Sequence, residues 1–142
     1  MQVNHPETVA ELQELYPRYE AALVSDDVET LTRLFWASPH VTRLGVTENL
    51  YGIDEIAAFR KGRIPANLGR TIRKLDIVTF GREFGSITLE FERETDGGLV
   101  QGRQSQLWAR LPEGRRIVAA HFRPCLRRAS IGIPFLRRRR AG

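Results

Sequence analysis

The sequence is short of the residues that would tie it to a disulfide, a metal or a membrane. Its 142 residues hold one cysteine, Cys125, and three histidines, His5, His40 and His121. A lone cysteine closes no intrachain disulfide and cannot build a multi-cysteine metal site. The histidines fall on different predicted elements with no ligand spacing between them, so no metal is expected. No apolar run approaches the roughly 18–20 residues of a membrane span. The opening Met-Gln-Val-Asn-His-Pro-Glu lacks the basic and apolar regions of a signal peptide, and a cytoplasmic protein is the expectation. Also missing are the Gly-x-Ser-x-Gly elbow, His-Glu-x-x-His, and the two glycine-rich phosphate and dinucleotide loops. No organic cofactor is expected either.

Acidic residues are missing from one region only. The chain carries 22 Lys and Arg against 17 Asp and Glu, a net charge of +5. Seven of those arginines (Arg123, Arg127, Arg128 and Arg137 to Arg140) lie in residues 122–142, which contain no acid. The remaining residues have 15 basic against 17 acidic groups, a net charge of −2. The basicity belongs to a tail, whereas a nucleic-acid reader spreads it over a folded face. The chain thus divides into a domain over 1–124 and a basic, mobile tail over 125–142, with neither nucleic acid nor membrane as the expected partner.

The length suits a single core. Pro6 opens a predicted helix in which Leu12, Tyr16, Tyr19 and Leu23 recur at spacings of three or four. Pro17 is expected to kink it or to divide it in two. Ser25-Asp26-Asp27 caps a second helix with Val28, Leu31, Leu34 and Phe35 on one face. Val41 to Leu44 reads as a strand, and Ile53 to about Arg63 as a third helix. After Pro65 the pattern becomes extended. Ile87, Leu89 and Phe91 alternate with polar residues, and Asp96-Gly97-Gly98 and Pro112-Glu113-Gly114 mark turns between long strands. Three helices followed by an antiparallel sheet of three or four long strands make an α+β layout, with a curved sheet wrapping the helices around a cone-shaped cavity.

Two residues stand out against that layout. Arg43 lies on a strand otherwise fit for a core, and must either reach water or serve a buried anion. Tyr19 lies on the apolar stripe of the first helix. Its plainer reading is a boundary tyrosine with its ring buried and its hydroxyl wet, and Arg43 has a similar one, a strand arginine snorkelling to the surface. Together they could bind and polarise a small carboxylate, the guanidinium favouring the phenolate. Alternation puts Gln104, Gln106 and Trp108 on one face of a strand, a polar wall or a solvent-facing surface. His121 could reach the cavity mouth or be a structural histidine. Phe35 and Trp36 close the core, with Trp36 also a possible pocket wall.

These residues are set in segments that resemble the AtzH-like family, which includes the oxalurate-catabolism proteins called HpxZ, within the NTF2-like (SnoaL-like) superfamily. The resemblance is carried by Tyr19-Glu-Ala-Ala-Leu, Leu34-Phe-Trp36, Arg43-x-Gly45 with Glu48-Asn-Leu-Tyr-Gly52, Gly102-Arg-Gln-Ser-Gln106 with Trp108, and Arg116-Ile-Val-Ala-Ala-His121. It implies an NTF2-like (cystatin-like) cone, dimeric through the outer sheet face, and hydrolysis of a small carboxylated urea with loss of its carboxylate. It also implies a catalytic tyrosine and arginine, matched here by Tyr19 and Arg43. Trp36, Asn49, Arg60, Gln104, Gln106 and His121 are the further substrate-binding candidates. Arg115 departs from the pattern, which has tryptophan there. The competing readings are a metabolite-binding or accessory protein of an amidase pathway, and a tail that contacts nucleic acid or an acidic surface.

Overall fold

The computed structural model describes residues 1–63 and 69–125. The expected basic tail lies, but for Cys125, outside the described residues. Helix α1 spans Pro6–Val24, with Pro6 at its start, where a missing N–H costs nothing. Leu12, Tyr16, Tyr19, Ala22 and Leu23 form its buried stripe. Pro17 does not divide this helix. It sits on the exposed face, so the carbonyl that loses its partner, that of Gln13, is on the solvent side. The Asp27 carboxylate accepts from the Thr30 N–H at 3.1 Å and starts α2, Val28–Leu34.

Strand β1 (Thr42–Leu44), strand β2 (Asn49–Tyr51) and helix α3 (Ile53–Gly62) follow, then four long strands: β3 (Thr71–Phe80), β4 (Phe84–Thr95), β5 (Gly98–Leu111) and β6 (Gly114–Pro124). They form one curved six-stranded sheet in the order β2-β1-β6-β5-β4-β3. The long strands are antiparallel neighbours; the β4–β5 and β5–β6 turns fall at the expected Gly97-Gly98 and Gly114, and the β3–β4 turn falls at Gly81. The four long strands are the expected antiparallel sheet, and the short β1 extends it by running parallel to β6. Strand β2 has three residues, too few for alternation to reveal it.

The helices fill the concave face. Leu12, Leu31, Phe35, Val41, Ile56, Ile87, Leu89, Trp108 and Ile117 make the core between them and the sheet. On β4 and β5 the alternation holds: Ile87, Leu89, Phe91, Gln104, Gln106 and Trp108 are buried, and Thr88, Glu90, Arg103, Ser105 and Leu107 are exposed. On β6 it slips. Leu107 pairs with Ala119 but Trp108 pairs with Ile117, leaving Val118 as an extra residue. Such a bulge reverses which side chains face inward beyond it.

At the rim of the core, the Arg70 side chain is wholly buried and paired with Glu20 through Nε at 2.9 Å and Nη2 at 2.8 Å. The Tyr16 hydroxyl donates to the same carboxylate at 2.6 Å. Burial works to raise the Glu20 pKa, but the bonds from Arg70 and Tyr16 and the Arg70 charge hold it below the usual carboxylate value. This contribution to stability is complete above the ordinary glutamate pKa and is lost as pH falls through the lowered folded-state value. Glu20→Gln should cost about 2–3 kcal/mol in urea unfolding at pH 7, less than for a fully buried pair because Glu20 keeps 20% of its side chain exposed. It should also flatten the acid limb of stability against pH. Glu29→Gln, breaking an exposed pair with Arg33, should stay within about 0.5 kcal/mol.

Candidate active site

A cavity of about 210 Å³ opens at the wide end of the cone, lined by Tyr19 and Leu23 of α1, Arg43 of β1, Phe59 of α3, Gln104 of β5 and Ala120 and Phe122 of β6. Val46, Glu48, Arg63 and Arg93 complete its wall. Tyr19 and Arg43, the catalytic candidates, therefore share one cavity. Register explains it. Arg43 pairs with Ala120, which pairs with Gln106, and the next row holds Phe122 and Gln104. Arg43 thus projects from the inward row of β1, over the end of the sheet that α1 crosses.

Arg43 is 7% exposed and has an internal partner, Glu48, at 2.9 Å from its Nη1. Its guanidinium also lies 5.1 Å from the Phe59 ring centroid. Gly45 makes this pairing possible, since a Cβ there would fall 1.7 Å from the Glu48 carboxylate. The spacing Arg43-x-Gly45-x-x-Glu48 is therefore a folded unit: a turn closed by the Gly45 N–H donating to the Glu48 carbonyl at 2.9 Å, with the carboxylate laid back over the arginine. Burial, then the neighbouring charge of Arg60, lowers the Arg43 pKa, which still leaves a guanidinium charged.

Tyr19 is 3% exposed. Burial alone would raise its pKa, but the charges of Arg60, Arg43 and Arg70 together reverse this and the phenol is lowered. Tyr16, one turn earlier with its ring 5.9 Å away, goes in the opposite direction. Burial and donation to the Glu20 carboxylate raise its pKa. Two phenols on one helix are driven apart by what faces them, a pattern that marks acid/base sites.

The other candidates divide. Gln104 lines the cavity. Gln106 lies one row deeper, its Oε1 accepting from the Trp108 indole at 3.0 Å. Arg60 is 1% exposed and stands behind the wall, not in it. Trp36 is half-buried, its ring 6.1 Å from that of His40, outside the cavity lining. Asn49 faces outward because Leu50, its neighbour on β2, takes the inward place opposite Arg43. His121 is exposed on the outer face with Thr88, Arg103, Ser105 and Arg123. Simple alternation from the inward Ile117 would have turned His121 into the cavity, and the extra residue Val118 turns Ala120 and Phe122 inward instead.

Arg63 and Arg93 line the cavity without having stood out in the sequence. Each has a buried Nε with no hydrogen-bond partner among the described residues. Arg63 pairs with Asp26 at 3.3 Å. Arg93 and Arg70 both lie over the Phe91 ring, at 5.9 and 4.5 Å from its centroid, and Phe91 stacks on Phe122 at 5.3 Å. Gly102 leaves room for that ring, because a Cβ on it would lie 2.1 Å from Phe91 Cζ. Among the described residues no three His, Cys, Asp or Glu side chains converge as metal ligands would. Gly102→Ala should push Phe91 from beneath both arginines, costing about 1–3 kcal/mol of stability in thermal or urea unfolding.

The chain matches the AtzH-like family model over residues 1–125. It is similar to a crystal structure of a protein of unknown function from Pectobacterium atrosepticum, 43% identical, covering 87% of this chain and 95% of that one, with a TM-score of 0.83. A cystatin-like fold protein from Burkholderia xenovorans is 38% identical over 89% of this chain and 98% of its own, with a TM-score of 0.81. An NTF2-like superfamily protein from Salmonella enterica, 24% identical with a TM-score of 0.68 over 89% of this chain and 96% of that one, shares the fold. No curated protein matches the chain. A cystatin-like, NTF2-like cone with Tyr19 and Arg43 in one cavity, and a family match over nearly the whole described chain, make this protein a member of the AtzH-like family.

Proposed function

We propose that the protein is a cofactor-independent amidohydrolase for a small carboxylated urea, of the dicarboxyurea or oxalurate type. The observation that carries the reading is a buried phenol, lowered by arginines, on the wall of an arginine-rich cavity. At about 210 Å³ the space is smaller than the roughly 300–1,000 Å³ of most drug-sized sites. Its walls carry Arg43, Arg63 and Arg93, a field that attracts an anion and resists a neutral or cationic ligand. Arg43 binds one substrate carboxylate. Arg63 and Arg93, with spare buried donors, receive the far polar end. Gln104 offers its amide to the ureido group.

In this reading Tyr19 acts as the base. A phenolate favoured by the surrounding guanidinium groups takes a proton from the water that attacks the ureido carbonyl, and the resulting phenol returns it to the leaving nitrogen. The arginines stabilise the negative charge that collects on the carbonyl oxygen.

Incubation with dicarboxyurea, allophanate and oxalurate, following ammonia and bicarbonate, tests the proposal. Turnover of at least one is expected. Tyr19→Phe should lower kcat by about 10²–10⁴-fold while leaving binding largely intact. Arg43→Ala should weaken binding and turnover together. Saturable binding that Arg43→Ala abolishes, with no turnover of any of the three, would leave a metabolite-binding or accessory protein instead.

A further inference from the structure

Arg60 presents a problem of charge that the hydrolase reading leaves unsolved. It lies in the last turn of α3, four residues after the buried Ile56, on the face turned to the core. It is 1% exposed. None of its Nε, Nη1 and Nη2 makes a hydrogen bond of good geometry among the described residues, and the polar group that approaches it is the Tyr19 hydroxyl, on which Arg60 acts both by its charge and as a hydrogen-bond donor. Its guanidinium lies 5.9 Å from the Phe35 ring centroid. The helix C-terminus offers only a partial negative charge, and a wholly buried guanidinium needs a full one.

Every carboxylate near this end of the cone is already committed. Glu20 pairs with Arg70, Glu48 with Arg43, and Asp26 with Arg63. No ion pair among the described residues includes Arg60. Around Tyr19 stand Arg60 of α3 and Arg63 just beyond its end, Arg43 of β1, Arg70 just before β3, and Arg93 of β4. Against these five cations stand Glu20, Glu48, Asp26 and the neighbouring neutral Tyr16. Cations exceed carboxylates by two. One acidic group remains in contact with this field, the Tyr19 hydroxyl, and among its charged neighbours Arg60 acts on it most strongly, ahead of Arg43 and Arg70.

We propose that Tyr19 is the counter-anion of Arg60: in the resting protein the two form a buried guanidinium–phenolate pair, and Arg60 is the positioning residue that keeps Tyr19 ionised. The proton lost from Tyr19 passes to solvent through the cavity that the phenol lines. Arg60 stands behind the wall, whereas Arg43, Arg63 and Arg93 line the cavity, so the substrate and Tyr19 do not compete for one guanidinium. Hydrolysis by Tyr19 as base rests on this pair, but the pair itself rests on packing and charge and can be tested without substrate.

The phenolate absorbance band reads it directly, because the chain has three tyrosines, Tyr16, Tyr19 and Tyr51. The intact protein at pH 7 should show one phenolate per chain, and Tyr19→Phe should show none. In Arg60→Gln that phenolate should vanish at pH 7 and return only on alkaline titration, while Arg60→Lys should retain part of it. A second measurement does not require an Arg60 variant to fold. Tyr19→Phe strands the Arg60 charge, so sodium chloride or formate should raise its Tm more than that of the unsubstituted protein. Equal phenolate absorbance at pH 7 in the intact protein and Tyr19→Phe overturns the proposal, as does a phenolate unaffected by Arg60→Gln. A phenolate without turnover would sink the hydrolase reading alone. Turnover without a phenolate would sink this one alone.

Discussion

Placing guanidinium groups inside a cone of apolar residues creates a debt of negative charge, and much of this structure is arranged around meeting it. The Arg70 side chain is wholly buried because Glu20 and the aromatic plate of Phe91 receive it. Arg43 can sit on an inward row of the sheet because Gly45 lets Glu48 fold back over it. Once Glu20, Glu48 and Asp26 are assigned, the remaining positive field falls on the phenol of Tyr19. The contrast with Tyr16 shows how local this is. One turn of helix separates a hydroxyl that donates to a carboxylate from one surrounded by arginines, and their acidities move in opposite directions.

The sheet carries this electrostatic arrangement through packing. Phe91 stacks on Phe122 on one side of its ring and supports Arg70 and Arg93 around it. Gly102 supplies the floor on which that ring lies. The stretch from Gly102 to Trp108 therefore has two jobs along its length. Its first residue makes room for the ring under the arginines. Its later ones, Gln106 and Trp108, satisfy each other deep in the core.

Much of this was legible in the residues. Alternation put Gln104, Gln106 and Trp108 on one face, which the structure shows to be the inner one, and the periodicity of α1 put Tyr19 on the apolar stripe that is buried. Arg43 was visible because a charge in an otherwise apolar strand violates the pattern. Arg63 and Arg93 were not singled out: Arg63 follows the end of α3, where a surface arginine is ordinary, whereas Arg93 continues the inward row of Ile87, Leu89 and Phe91 and was readable by the same alternation. Arg60 was named, but for the wrong surface: four residues beyond Ile56 it follows the core stripe and so stands behind the cavity wall. Asn49 was misplaced because a three-residue strand has no period to read. His121 was misplaced because a single extra residue upstream cannot be seen in composition or spacing.

That extra residue, Val118, makes strand phase a determinant of chemistry. Ala120 and Phe122 give the cavity an inert, apolar floor, while His121 and Arg123 point away to the outer surface. Pairing that ironed out the bulge would rotate the end of β6 by one side chain and offer the cavity an imidazole and a further guanidinium in place of a methyl and a phenyl. The same amino acids would then make a different chamber. In this fold the composition of the reaction vessel is written in hydrogen-bond register as much as in the order of the residues.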